Sequence, residues 1–343
     1  MGKRIEYIDA MRGLAMLLVV IGHVHVFSFN HTDNVLFQIL SLEIQIPLFF
    51  MVSGFLVKIP QCKYWSFCKK KAFLLCVPAS IFMTINIWIN NHDSITVLGS
   101  DMYKDGYWFT FSLFEFTVLF SALKFISRKL RLDINADHLF VLIATIIIVS
   151  IVTIYIYIEN DSFIIPLLGL RHIKSFPYFI FGTILAERNI LRNNMSFIKQ
   201  WKELLLFICF LLHIYIYKNS SMDYYLIPIQ YKLLLIPATI LGLFVLLWAF
   251  KQYESWSSSW IGKKLQKMGR YTLDIYFIHF FFIPKNLSMI GDWFKVNPNP
   301  IIEYALAMLI AALIISASLL VGRIIRLSPT LAHWLLGEKK IIE

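Results

Sequence analysis

Apolar runs of about 20 residues recur along the whole chain, and no other feature limits its fold so strongly. A helix of that length crosses a bilayer, and lipid leaves every backbone polar group to be paired inside the segment. We therefore predict an all-α, polytopic integral membrane bundle of about ten transmembrane helices, at residues 8–29, 35–57, 72–90, 107–125, 138–158, 171–188, 201–218, 230–250, 268–290 and 301–325.

The composition agrees with this class. Only 15% of the residues are charged and 58% are hydrophobic, whereas a soluble domain has about 25% charged residues. Loops between the apolar runs are short, and no linker of Pro, Gly and Ser divides them. We expect one transmembrane domain over residues 1–343. Charged residues interrupt the first run and no cleavage site follows it, so this run is predicted to be a retained anchor.

The net charge of +11 is distributed as membrane topology requires. With the N-terminus inside, 24 of the 32 Lys and Arg residues fall on the inner loops. This asymmetry predicts that both termini are cytoplasmic in a multi-pass protein of the cell (inner) membrane. No nucleic-acid-binding motif accompanies the charge, so nucleic acid is not an expected partner. The four cysteines match no zinc spacing, and no metal is expected. The sequence sets no oligomeric state.

Two ionisable residues stand eleven positions apart in the first apolar run, Arg12 and His23. Eleven steps of about 100° make about three helical turns, so both side chains share one helix face, with His23 about 16 Å deeper. Ionisable groups inside a bilayer are costly and mark functional sites. A cation near one membrane face with an imidazole above it suits a long anionic cofactor whose reactive end reaches inward.

Four titratable groups from four predicted helices fall at similar depth. By the helical rise, His23 lies about 20 Å and His279 about 14 Å from the inner face, while Glu43 and Glu115 lie about 12 Å below the outer face. A His–Glu pair in this layer would serve as a base and its orienting group. Each member also has a structural alternative, in which it only bonds a neighbouring helix.

Other polar residues of the first run have simpler interpretations. Asp9 is expected to pair with Arg12 and hold the guanidinium in place. His25 lies on another helix face than His23, which favours a structural or pore-lining role. Asp274 divides evenly between structural and functional readings. His31 has no supporting geometry in the sequence.

Several motifs, in order, resemble the membrane acyltransferase family 3. They are Tyr7 to Ala15 followed by His23, Pro47 to Leu56, Phe67 to Pro78 with its lysine triplet, Tyr107-Trp108-Phe109, and Tyr271 to His279. The resemblance spans about residues 5–285. Many members carry two arginines three apart where this chain has Lys69, Lys70 and Lys71, and some carry an additional extracytoplasmic domain that is not seen in this sequence.

The resemblance implies transfer of an acyl group, usually acetyl, from cytoplasmic acyl-CoA to a hydroxyl of a surface polysaccharide or lipid-linked glycan. Arg12, held by Asp9, and Lys69, Lys70 and Lys71 are then the candidates for binding the acetyl-CoA phosphates. His23 is the expected general base, with Glu43, Glu115 and His279 as the other catalytic candidates.

Three alternatives remain from the sequence. Ser53 is a candidate acyl carrier, although its place beside Gly54 favours packing. A proton-coupled secondary transporter or glycan-precursor carrier would use the same titratable layer, but Pro177 and Pro237 do not fall in matching halves. A non-catalytic scaffold would leave the buried carboxylates and histidines unexplained.

Overall fold

The computed structural model describes residues 5–60, 63–89, 104–158, 170–188, 204–212, 215, 229–252 and 254–338, and within these ranges it is helical and contains no strand. The principal helices are α1 Glu6–His23, α2 Phe37–Leu56, α3 Tyr64–Ile89, α4 Trp108–Lys129, α5 Ile134–Ile158, α6 Phe176–Glu187, α7 Ile229–Gln252, α8 Trp260–Arg270, α9 Thr272–Ile278, α10 Ser288–Val296, α11 Pro300–Ile325 and α12 Pro329–Leu336. Residues 204–212 are also helical.

Within these ranges six helices are long and apolar enough to cross a membrane: Glu6–Phe29, α2, α3, α4, Ile134–Ile156 of α5, and α11. This confirms the prediction of an all-α, multi-pass membrane protein. Shorter apolar helices occur at Ala238–Gln252 and Thr272–Phe282. The predicted helix at 201–218 lies partly outside the described residues. The total of ten helices and the cytoplasmic termini stay predictions.

The predicted helix at 268–290 is wrong as a single element. Helix α8 ends at Arg270, Tyr271 leaves helical geometry at φ −112° and ψ 28°, and α9 ends in a 3₁₀ turn, His279–Phe282. Pro284 follows two residues later, and a proline disfavours helical geometry in the residue before it. The apolar run is therefore continuous in sequence but divided in structure.

The predicted helix at 171–188 is shorter in the structure. A 3₁₀ segment, Leu170–Ser175, precedes α6, which begins at Phe176. Pro177 occupies the first turn of α6, where its missing N–H leaves no bond unmade. Proline thus marks the start of this helix.

The chain divides into two compact units, which are described separately. The first unit is Met1–Val52, Glu187–Ile275 and Phe282–Ser318, and the second unit is Ser53–Ala186, Tyr276–Phe281 and Leu319–Glu343. In the first unit, the helical stretch Glu6–Phe29 is central, because 61% of its most apolar 18 residues are buried. In the second unit, only 11% of the most apolar 18 residues of α5 are buried. The exposed side chains of α5 are mostly isoleucines, and such an apolar surface is suited to contact with lipid.

Tryptophans mark both ends of α3 in the second unit. Trp65 and Trp88 are 75% and 80% exposed, and the helical rise separates them by about 35 Å. That separation matches the two interfacial belts of a membrane, where tryptophan is enriched. Trp65 and Trp88 are therefore placed to act as interfacial anchors of α3.

Candidate active site

Arg12 lies on α1 of the first unit and is held by a hydroxyl from a distant part of the chain. Its Nη2 donates a hydrogen bond of 2.6 Å to Oγ1 of Thr272, the first residue of α9. Thr272 is buried, while Arg12 is only partly so. The guanidinium is therefore fixed at one edge, and its planar fork of donors suits a phosphate or carboxylate.

Two glycines let α8 approach α1 closely enough for this bond. A Cβ added to Gly13 would lie 2.0 Å from the carbonyl oxygen of Leu265, and one added to Gly269 would lie 1.7 Å from that of Asp9. Small residues permit such close packing of backbones in membrane helices. Since α9 follows α8 after one residue, the glycine contacts also place Thr272 beside Arg12.

Asp9 is buried one turn before Arg12 on α1. Its Oδ2 lies 3.9 Å from Nε of Arg270, the last residue of α8. The predicted pairing of Asp9 with Arg12 stays a prediction, and the structure places the cation of Arg270 near the same carboxylate. Asp9, Arg12, Arg270 and Thr272 thus form one polar group where α1 meets α8 and α9.

His23 is the last residue of α1, three turns from Arg12. One regular helix contains both residues, so the predicted shared face and the separation of about 16 Å agree with the observed element. The His23 ring is half-buried and stacks on Phe27, with ring centroids 5.4 Å apart and an angle of 12°. Its imidazole is thus oriented by an aromatic neighbour.

Glu43 is half-buried in the π-helical first part of α2. This region of α2 lies against α1 beside His23, because a Cβ at Gly22 would be 3.4 Å from Cβ of Ser41 in the π-helical part and 3.2 Å from Oε1 of Gln45, which follows it. The structure therefore places the helix that carries Glu43 next to the helix that carries His23. A direct His23–Glu43 hydrogen bond stays a prediction.

His279, in the second unit, is fully buried at the start of the 3₁₀ turn that follows α9. Its Nδ1 lies 2.8 Å from the backbone oxygen of Tyr276. Because that oxygen only accepts, Nδ1 carries the proton, and Nε2 of the neutral ring is an acceptor. This tautomer suits a base or an orienting group, which is the role predicted for His279.

Tyrosines join the start of α4 to α9 beside His279. The Tyr107 hydroxyl donates to the backbone oxygen of Phe277 at 3.0 Å, and the Tyr276 hydroxyl donates to that of Gly106 at 3.0 Å. The backbone N–H of Phe109 donates to the Tyr276 hydroxyl at 3.2 Å. The Tyr107-Trp108-Phe109 motif therefore meets Tyr276 and Phe277, from the end of the motif about 170 residues later, in the second unit.

Glu115 is half-buried on α4 of the second unit and interacts electrostatically with Lys104. Lys104 is only 3% exposed, and its Nζ lies 5.4 Å from the centroid of the Phe111 ring. A buried lysine near a carboxylate favours the charged form of that carboxylate by electrostatic attraction. Glu115 was predicted as a site residue from the sequence, whereas Lys104 was not.

The lysine triplet lies in the first turns of α3 in the second unit. Lys69 and Lys70 are exposed, whereas Lys71 is half-buried with its Nζ 5.6 Å from the centroid of the Phe67 ring. Three consecutive residues spread over about 200° of a helix, so they cannot all face one phosphate. As point charges on flexible stems they can still attract an anion from several directions.

A buried cluster in the first unit was missed by the sequence. Glu303, near the start of α11, lies 2.7 Å from Nδ1 of His31 and 3.3 Å from Nδ1 of His25 through its Oε1. The buried position of His25 agrees with its predicted structural role. Nothing in the sequence indicated the His31–Glu303 contact, because the two residues are 272 positions apart.

Together these observations describe a multi-pass helical membrane protein with an arginine and a histidine on one face of a central helix. The sequence profile of a family described as an acyltransferase domain, acyltransferase 3, matches residues 5–321. The chain therefore belongs to the acyltransferase 3 family and is a membrane acyltransferase.

One relative shares a shorter region with this chain. A protein named amino-acid racemase from Enterococcus faecalis is 33% identical over 103 residues, which are 29% of this chain and 14% of that protein. The matched part is too small a share of that protein to carry its activity to this chain. No solved structure matches the chain.

Proposed function

We propose that this membrane acyltransferase moves an acetyl group from cytoplasmic acetyl-CoA to a hydroxyl of a surface polysaccharide or lipid-linked glycan, in the cell membrane. The observation that carries the proposal is the arrangement of Arg12 and His23 on one face of α1, with Arg12 fixed by Thr272 at 2.6 Å. The family assignment supplies the acyl transfer, and the α1 geometry suggests the form of the donor.

The donor is a long molecule with its charge at one end. The phosphates of acetyl-CoA suit the guanidinium of Arg12, because its planar group carries several N–H donors and the Thr272 bond fixes its position. Arg270, whose Nε lies 3.9 Å from Oδ2 of the buried Asp9, adds a second partly exposed cation near Arg12. From this end, the slender arm of the donor would extend along α1 toward His23, about 16 Å away by the helical rise.

The reaction then needs one base, and it neither consumes nor releases a proton overall. His23 accepts the proton of the acceptor hydroxyl as the hydroxyl oxygen attacks the thioester carbonyl carbon. The new C–O bond forms, the C–S bond breaks, and the proton passes from His23 to the departing thiolate, which leaves as the thiol of coenzyme A. Glu43, Glu115 and His279 are the further candidates for orienting the base and the acceptor.

The lysine triplet is assigned to attracting the donor. Lys69 and Lys70 are exposed on α3, and Lys71 is partly covered by Phe67. Exposed cations raise the local concentration of an anionic ligand more than they fix its orientation. Single replacements in the triplet should therefore matter less than changes at Arg12.

The test supplies radiolabelled acetyl-CoA to purified protein in lipid vesicles that contain extracted lipid-linked glycan, with protein-free vesicles as the control. The proposal expects equal amounts of labelled glycan and free thiol. Release of thiol without labelled glycan would contradict the proposed acceptor. Movement of glycan across the vesicle membrane without any label would instead support the carrier alternative.

A further inference from the structure

The helix geometry changes directly after His23. Helix α1 ends there, and the chain continues as a π-helix, Val24–Phe29, which stops at Asn30, whose φ of 50° is left-handed. Short π-helical turns inside α-helices are rare and frequently occur at functional sites. A π-helical segment is poorly stable alone, so other parts of the chain must hold it.

His25 connects this π-helical segment to its surroundings. Its ring is fully buried and stacks on Phe37 and Tyr304, with centroids 4.8 Å and 5.9 Å away, while the edge of Phe29 lies at 5.5 Å. Its Nδ1 lies 3.3 Å from Oε1 of Glu303. The histidine thus links the segment to both α2 and α11.

Glu303 is the centre of these contacts. It is 2% exposed, and its Oε1 lies 2.7 Å from Nδ1 of His31, while its Oε2 accepts a hydrogen bond of 2.8 Å from the amide of Asn34. It lies in the first turn of α11, where the helix dipole favours a negative charge. Three side chains from the region of residues 25–34 therefore meet on one carboxylate.

Asn34 extends the connection to α2. Its Oδ1 accepts the backbone N–H groups of Leu36 at 2.9 Å and Phe37 at 3.2 Å, which are the first donors of that helix. Its amide also donates to the backbone oxygen of Pro300 at 3.0 Å. The end of α1, the start of α2 and the start of α11 are therefore fixed to one another through Glu303 and Asn34.

The π-helical segment also carries the ring that contacts the proposed base. Phe27 stacks on His23 at 5.4 Å and 12°, two residues after His25. We infer that Glu303 is a positioning residue for His23: it fixes His25 and the π-helical segment, and this segment holds Phe27 against the His23 ring. The inference rests on the proposed function, since it names what orients the base.

The test compares Glu303→Gln with the control variant Asp292→Asn. Asp292 lies in the same unit, is 66% exposed and pairs with Lys295, so its replacement also removes one carboxylate but at the surface. Misplacement of a catalytic group by about 1 Å costs about 100-fold in rate. We expect Glu303→Gln to lower kcat per folded molecule by about 10- to 100-fold with an unchanged donor KM, and Asp292→Asn to change neither.

Two further measurements separate positioning from stability. Phe27→Leu removes the stacked ring at a site that is 47% exposed, so folding should tolerate it, and the same fall in kcat is expected. The rate at which diethyl pyrocarbonate modifies His23, followed by peptide mass spectrometry, should change several-fold in both variants. This readout needs no catalysis, so it decides the inference even if acetyl transfer is absent and the proposed function fails.

The inference would be overturned by a lower melting temperature with unchanged kcat per folded molecule and unchanged His23 modification. A rise in donor KM alone would also overturn it, because it would connect Glu303 to donor binding. If Glu303→Gln does not fold, Phe27→Leu decides by the same criteria.

Discussion

Replacement of Gly269 by alanine tests the packing that places Thr272 beside Arg12. The added Cβ would lie 1.7 Å from the carbonyl oxygen of Asp9, whereas ordinary contact begins at 3.4 Å. Because the obstacle is backbone, α8 must move away from α1 by about 1.7 Å. A shift of that size would lengthen the hydrogen bond of 2.6 Å between Arg12 and Thr272 beyond the range of about 2.7–3.2 Å in which such bonds form.

The expected loss has two parts. Forcing a methyl group into a packed contact costs about 1–3 kcal/mol of stability. Loss of a hydrogen bond to a charged group costs about 1.5–3 kcal/mol, which for donor binding corresponds to a rise in KM of about tenfold or more. Thermal unfolding in detergent measures the first part, and the initial rate of acetyl transfer at varied donor concentration measures the second.

Gly242→Ala is the matched control. Among the described residues, a Cβ at Gly242 would meet the Cys209 side chain at 3.9 Å, which is ordinary contact. Alanine also favours the helix by about 1 kcal/mol over glycine, so this variant should be as stable as the wild type or more so. If Gly269→Ala matches Gly242→Ala in melting temperature and donor KM, the proposed packing of α8 on α1 is refuted.

Two other predictions follow from hydrogen bonds in the structure. Thr272→Val should raise the donor KM about tenfold without changing kcat. Thr153→Val is the control, because the Thr153 hydroxyl donates to the backbone oxygen of Val149 in its own helix, and both parameters should stay unchanged. Equal KM values in the two variants would contradict the role of Thr272. Asp137→Asn should lower the free energy of unfolding by about 3 kcal/mol, because it leaves the buried Lys124 without the carboxylate that now lies 2.5 Å away. The control Asp292→Asn removes an exposed carboxylate and should cost less than about 1 kcal/mol. Equal melting temperatures of the two variants would show that the buried pair contributes nothing to stability.

The fold class was predictable because lipid restricts the options so strongly. The length of the apolar runs was enough to predict the six long helices. The spacing of Arg12 and His23 predicted that these two residues share one helix face, because this depends only on helical geometry. The division of 268–290 was missed because hydropathy averages over Pro284, which changes backbone geometry without changing the apolar character of the run.

The side-chain partners were not predictable in the same way. Thr272 holds Arg12 from 260 residues away, and Glu303 meets His31 from 272 residues away. Such pairs follow from helix packing, for which a single sequence gives no register. The two glycines of the α1–α8 contact are visible in the sequence, but glycine serves many purposes there, and only the structure shows which backbone it approaches.

The central claim is that His23 removes the acceptor proton during acetyl transfer. The most direct measurement is the transfer rate per folded molecule for His23→Ala in vesicles, with saturating labelled acetyl-CoA and acceptor, beside His333→Ala as the histidine control. General base catalysis contributes about 10²- to 10⁴-fold, so His23→Ala should lose that factor while still binding the donor, and His333→Ala should keep the wild-type rate. A folded His23→Ala protein that transfers acetyl at the wild-type rate would contradict the account.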